Sequence, residues 1–246
     1  MNKTNKAFNI VSIEGNIGSG KSTLLKHLKE YVEKHSTIHS NLASNEIKTH
    51  NNCTFKLNRK IIFLKEPVEE WDTIRDSEGK TMLEKFYANQ IAYSFSFQMM
   101  AYISRLVYMK EAIEQNPDAV IITERSLYTD REVFAKMLFD DKKIEDVNYQ
   151  IYLKWFDAFA KDYPVNKIIY VKADPNICSE RIEKRHRHGE ESIPLEYLTK
   201  CHEYHNEMIR KYEKDYDQLI LNGNIDIQNN QKQIEAWLHD ILLFIH

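Results

Sequence analysis

The chain has few cysteines, few glycines and no long apolar run. Its three cysteines, Cys53, Cys178 and Cys201, are an odd number without paired spacing. That suits a reducing compartment better than a disulfide framework. No segment approaches the roughly 18 consecutive apolar residues of a membrane span, and the opening MNKTNKAFNIVSI lacks the apolar core of a secretion signal. The expected setting is cytoplasmic, with no membrane partner. A surplus of one charge is missing too: 34 Lys and Arg face 37 Asp and Glu, a formal net charge of −3. Without a basic face, sequence-independent binding to a nucleic-acid backbone is not expected.

What is present is enough for one sizeable core: 246 residues, 42% of them hydrophobic. No internal repeat or interdomain linker interrupts it, so residues 1–246 are expected to form one domain. Short apolar runs alternate with long amphipathic ones, the pattern of a parallel sheet covered by helices. Strands are predicted at Phe8–Ile13, Ile61–Lys65, Ala119–Thr123, Lys167–Ala173 and Gln218–Asn222. These mostly read as continuous β-branched runs, as strands buried on both faces do. Helices are predicted from Lys21, near Thr81, near Thr129, near Val147, from Pro175, from Pro194 and near Asn230, with both prolines in first-turn positions. The fold class is therefore α/β, a five-stranded parallel sheet flanked by helices. Residues 36–58 are polar and aperiodic, and read as a surface insertion or mobile loop.

Three of only six glycines fall in one stretch, IEGNIGSGKSTLL. Gly15-Asn16-Ile17-Gly18-Ser19-Gly20-Lys21-Ser22, followed by Thr23, has the G-x-x-x-x-G-K-[ST] spacing of a phosphate loop. Its context fits, with an apolar strand before it and a helix after. Backbone N–H groups exposed by the glycines wrap phosphate oxygens, and the helix N-terminus adds its positive dipole. Lys21 is placed to meet the β- and γ-phosphates, and Ser22 to offer an oxygen to Mg²⁺. A nucleoside triphosphate is the expected donor; the loop does not name the acceptor.

Four further stretches concern the acceptor. KEPVEEW (Lys65–Trp71) puts Glu66 at the end of a strand, where open α/β sheets bind ligands. FYANQIAYSFSFQMMAYISR (Phe86–Arg105) reads as one long aromatic helix ending in an arginine. TERSLYTDR (Thr123–Arg131) follows the third predicted strand. RIEKRHRHGEESIPLEYL (Arg181–Leu198) sets arginines ahead of two glutamates. The phosphate loop and these stretches, in this order, resemble the deoxyribonucleoside kinases related to deoxycytidine and deoxyguanosine kinase. The resemblance covers most of residues 8–215.

The resemblance implies a fold, a reaction and a set of roles. The fold would carry an arginine-rich lid. Glu66 would be the general base taking the proton of the sugar 5′-OH as it attacks the γ-phosphate. Arg125 would hold the 5′ oxygen and Glu66, and Glu124 would help position Mg²⁺. Tyr87 and Glu190 would grip the 3′-OH. Gln98 would read the base edge, with Phe97 and Trp71 packed on base and sugar. Arg181, Arg185 and Arg187 would close over the donor phosphates. Arg105 and Asp130 match an Arg–Asp pair of the deoxycytidine and deoxyguanosine type, with Asp130, held ionised by Arg105, accepting from an exocyclic amine. That pair favours deoxycytidine or a purine deoxynucleoside over thymidine. The family also implies a homodimer formed through long helices.

Competing readings differ in what they require. A thymidylate-kinase-like monophosphate kinase needs a basic pocket for the acceptor's own phosphate, which Glu66 would repel. A catalytically silent structural relative is expected to lose Lys21, Glu66 or Arg125, and all three are present. His186, His188, His202, His205 and Cys201 cluster in sequence without zinc spacing, so Tyr197 onward reads as an amphipathic packing helix. No motif after Asp215 marks where the donor base sits, which leaves ATP or UTP as donor.

Overall fold

The computed structural model describes residues 9–37, 45–48, 54–57, 59–187, 190 and 193–245. In chain order the elements begin β1 (Asn9–Glu14), α1 (Lys21–His35), β2 (Ser36–Thr37), β3 (Asn45–Lys48), β4 (Thr54–Leu57) and β5 (Ile61–Leu64). Next come α2 (Val68–Trp71), α3 (Met82–Ala88), α4 (Gln90–Gln115), β6 (Val120–Glu124) and α5 (Leu127–Thr129). A π-helical turn at Asp130–Ala135 leads to α6 (Lys136–Asp140), α7 (Asp146–Phe159) and a single 3-10 turn. The chain closes with β7 (Lys167–Lys172), α8 (Pro175–Arg185), α9 (Leu195–Lys211), β8 (Asp217–Asn222) and α10 (Gln231–Ile245).

Five strands form one parallel sheet in the order β5-β6-β1-β7-β8. All five predicted strands are there, with bounds shifted by a residue or so. The period of two divides each central strand between two cores. Val11, Ile13, Ile122, Ile169 and Val171 pack with Leu24, Leu25 and Leu28 of α1 and Trp237, Leu238 and Ile241 of α10. Ile10, Ile121, Ile168 and Tyr170 face the other way, onto Met109 and Ile113 of α4 and Met208 and Ile209 of α9. With helices on both faces, the central strands carry apolar side chains on both sides, with polar residues such as Glu14, Thr123 and Glu124 towards their C-terminal ends. β1 sits between β6 and β7, so the connections leave it in opposite directions. That divergence opens a crevice at the strands' C-terminal ends.

Three expectations are corrected. The stretch Phe86–Arg105 is not one helix. Thr81 and Glu84 form a reciprocal cap at the start of α3, and Asn89 Oδ1 accepts from Ala92 N at 3.1 Å to start α4 afresh. The break turns Tyr87 and Phe97 onto different elements. Pro194 is the N-cap of α9 rather than a first-turn residue; Pro175 does occupy the first turn of α8. The polar 36–58 segment contains a small antiparallel sheet, in the order β2-β3-β4, rather than being irregular throughout. Cys53, His188 and residues 1–8 lie outside the described residues, as does the second glutamate of the E-E pair.

Candidate active site

The loop after β1 needs glycine for two distinct reasons. Gly15 and Gly18 have φ of +145° and +76°, and a Cβ at either would lie 2.5 Å from a backbone carbonyl, of Val171 and Cys178 respectively. The loop thus lies hard against the end of β7 and against α8. Asn16 fastens it to α9, its Nδ2 donating to Leu198 O at 2.8 Å. Lys21 is buried and donates to Asn16 O at 2.7 Å, curled back over the loop. Burial, aided by the nearby Arg125 cation, lowers the Lys21 pKa to about 7, against the pull of Glu124 and Glu66. Ser22 Oγ donates to Glu124 Oε1 at 2.6 Å.

The ends of β5 and β6 supply the charged centre. Glu66 Oε1 accepts from Arg105 Nη2 at 3.1 Å and lies 3.2 Å from Arg125 Nε. Burial alone would raise the Glu66 carboxyl; Arg125, Arg105 and Lys21 outweigh it and bring its pKa down to about 2. Arg125 has φ of +64°, a left-handed conformation costly for a side chain of this size. Its backbone N–H bonds Ile13 O at 3.0 Å, Nη1 donates to Gly15 O at 2.8 Å, and the guanidinium stacks 4.8 Å from the Phe134 ring centre.

A second charged pair lies deeper. Arg105 Nε donates to Asp130 Oδ2 at 2.9 Å and its Nη1 to Glu124 O at 2.7 Å. Burial opposes the Arg105 charge, but Asp130 and Glu66 overcome it and raise its pKa. Burial also lifts the Asp130 carboxyl above its ordinary value, and Arg105 pulls against that lift. Asp130 begins the π-helical turn; the wider turn sets both Asp130 and Phe134 on the cavity wall. Trp71 is fixed by Nε1 donating to Ser104 Oγ at 2.8 Å and meets Phe97 edge-on, centroids 5.6 Å apart. Gln98 is buried, and its Oε1 has no hydrogen-bond partner.

One cavity of about 570 Å³ joins these groups. Its walls include the phosphate loop from Ile17 to Thr23, Glu66, Trp71, Tyr87, Phe97, Gln98, Arg105, Glu124, Arg125, Asp130, Arg181, Arg185, Arg187 and Glu190. Among the site residues expected from sequence, Gly15 and Asn16 are outside this lining and support the loop from behind. Glu190 is buried and accepts from Arg185 Nε at 2.9 Å and from Arg187 Nη1 at 3.3 Å. Burial, then the Glu190 charge, pushes the Tyr87 hydroxyl well above its ordinary pKa.

A family model for deoxynucleoside kinase matches residues 11–246. The chain belongs to the deoxynucleoside kinase family. It is a nucleoside kinase, a phosphotransferase. Its sequence is 32% identical to the deoxycytidine kinase of Mus musculus, over 94% of this chain and 90% of the relative. It is 29% identical to deoxycytidine kinase 1 of Xenopus laevis, over 96% of this chain and 89% of the relative. Against the mitochondrial deoxyguanosine kinase of Xenopus laevis the figures are 27%, 89% and 83%.

As a kinase site, the cavity adds to the sequence expectation in four places. Arg181 is engaged by backbone carbonyls, as Arg185 and Arg187 are by Glu190. Arg181 Nη1 donates to Gly223 O at 2.7 Å and Ser19 O at 3.2 Å, and its Nη2 to Ile225 O at 3.1 Å. It fastens the phosphate loop to the β8–α10 connection. That connection, Asn224 to Gln228, also lines the cavity, as do Phe134 and Tyr197. Sequence reasoning missed all three. NIDIQ has no motif, Phe134 depends on the wide turn, and Tyr197 lies on a helix that reads as ordinary packing.

Proposed function

We propose that this nucleoside kinase transfers the γ-phosphate of a nucleoside triphosphate, ATP or UTP, to the 5′-OH of a deoxyribonucleoside. Deoxycytidine or a purine deoxynucleoside is favoured over thymidine. The observation that carries the base preference is the buried edge formed by Gln98, Arg105 and Asp130. It offers an unpartnered amide oxygen and a carboxylate beside a guanidinium. An exocyclic amine satisfies those acceptors; the O4 and methyl of thymine do not. A site built to bond an N–H rejects the analogue lacking it by leaving its own buried groups unpaired.

Glu66 accepts the 5′-hydroxyl proton as the loose phosphoryl transition state forms. Because two arginines keep it ionised, it is always available but is a weak base. That suits a reaction in which positioning and charge cancellation dominate over proton abstraction. Arg125 orients Glu66 and the attacking oxygen; Tyr87 and Glu190 fix the 3′-OH; Lys21, Arg185 and Arg187 cancel developing charge on the transferred group. Mg²⁺ fits the all-oxygen pair of Ser22 and Glu124, and when bound it supplies neutralisation of the phosphates.

The protein is proposed to act as a cytoplasmic homodimer. Supporting this, α7 bears an exposed stripe of Val147, Ile151, Trp155 and Phe159 at four-residue spacing, and α4 exposes Ile103 and Val107. Initial rates of monophosphate formation with Mg-ATP and each of the four deoxyribonucleosides test the reaction. Preference for thymidine would overturn the reading of the base edge, and no product from any nucleoside would overturn the reaction.

A further inference from the structure

His205 lies on α9, fully buried, 80 positions along the chain from the arginine it touches. Its Nδ1 is 2.6 Å from Cys201 O, an acceptor only, so Nδ1 carries the proton. Nε2 then presents a lone pair, and it lies 3.3 Å from Arg125 Nη1. The two contacts are consistent with one neutral tautomer and with no other state, since a proton on Nε2 would face a guanidinium N–H. Burial, with the Arg125 cation next, pushes the imidazole pKa well below its ordinary value and keeps it neutral. The ring plane is steadied by Tyr170, stacked at 6.4 Å with 7° between planes, and by Phe134 edge-on at 6.0 Å.

We propose that His205 is a positioning residue for phosphoryl transfer, its Nε2 lone pair locking the Arg125 guanidinium in the orientation that aims Nε at Glu66. The need for such a lock follows from Arg125 itself. Its backbone is left-handed, so the side chain leaves β6 in a direction that ordinary strand packing does not enforce. Gly15 O and His205 Nε2 both meet Nη1, Nε faces Glu66, and Phe134 fixes only the plane of the guanidinium. Without His205 a single acceptor is left to hold Nη1 against in-plane swing. A guanidinium that swings loses its aim at Glu66, which Arg105 alone then holds, and small misplacements of reacting groups are costly to rate.

The inference rests on Arg125 and Glu66 acting as proposed above, and the test separates the two. His205→Leu removes the acceptor at similar volume. His205→Gln restores an acceptor near the Nε2 position, while the helix's own N–H still serves Cys201 O. The Leu variant is expected to lose about tenfold to a hundredfold in kcat with little change in either KM. The Gln variant is expected to recover most of that loss. In an Arg125→Lys background, His205→Leu is expected to cost almost nothing further, because the group it positions is gone. Should His205→Leu fail to fold by circular dichroism, His205→Asn replaces it, its amide being too short to reach the guanidinium. Equal losses in the Gln variant and in the Leu or Asn variant would overturn the proposal. So would an undiminished kcat without the acceptor, or full additivity with Arg125→Lys. An undiminished kcat in Arg125→Lys alone would instead overturn the role given to Arg125.

Discussion

Arg105 donates to Glu66 across 3.1 Å while its Nε holds Asp130 at 2.9 Å. One guanidinium therefore belongs both to the edge proposed to read the base and to the carboxylate proposed to take the proton. Changing it alters selectivity and chemistry together. Arg105→Met with Asp130→Ala is expected to shift the kcat/KM ratio toward thymidine by about 10² or more. It should also lower kcat on every nucleoside, because Glu66 loses a partner. A rise in thymidine activity with undiminished deoxycytidine turnover would show that the Glu66 contact is idle.

Glu66→Gln is expected to retain the fold and nucleoside binding and to lower kcat by about 10² to 10⁴. Because its pKa lies near 2, the carboxylate stays ionised throughout the working range. The pH profile of kcat should therefore show no acid limb from this group between about pH 4 and 8. The depressed value also favours the folded state: that contribution is complete above the ordinary carboxylate value and fades as pH falls toward 2. An essential limb near pH 6 that vanishes in Glu66→Gln would contradict this assignment.

Lys21, its pKa lowered by burial to about 7, is expected to be largely uncharged at pH 8 before the donor binds. Donor phosphates would restore its charge, so Mg-ATP binding at pH 8 is expected to take up close to one proton. Below its pKa, at pH 6, the uptake should be small. Calorimetry in buffers of differing ionisation enthalpy measures this directly. Lys21→Ala should abolish the uptake and damage both donor affinity and turnover. Equal proton uptake in wild type and Lys21→Ala would place the titrating group elsewhere.

Arg181 and Arg187 are expected to fail differently. Arg181→Ala removes three hydrogen bonds to carbonyls of the phosphate loop and the β8–α10 connection. We expect a loss of about 2 kcal/mol, seen as a Tm lower by about 5 °C, with raised donor KM. Arg187→Ala, whose side chain is more than a third exposed, should leave Tm unchanged and lower turnover. The reverse pattern would return Arg181 to the role of a phosphate-binding arginine.

Trp155→Glu places a charge in the exposed α7 stripe. If that stripe covers a second copy, sedimentation should report a shift from dimer to monomer. A variant that sediments as the unmodified protein does would move the interface elsewhere.

Some of this was determined by the chain's local order. The phosphate loop is legible because its chemistry lies within eight consecutive residues, between a strand that ends and a helix that begins. The five strands are legible because burial on both faces leaves continuous apolar runs. Glu66 and Arg125 each follow a strand end, so the sheet alone brings them to one rim.

The tertiary structure decided what those residues touch. Arg105 could be paired with Asp130 from sequence, but its hold on Glu66 depends on how α4 crosses β5. Arg181 reads as one arginine among several on a polar helix; only the approach of the Gly223 connection, 42 positions away, turns it into a fastener. His205 reads as packing on an amphipathic helix. Its acceptor role exists because α9 lies against the end of β6, where the backbone of Arg125 has turned left-handed. Hydrogen bonds between distant segments leave no periodicity in the chain, because nothing in a residue's neighbours encodes the group it will meet across the core.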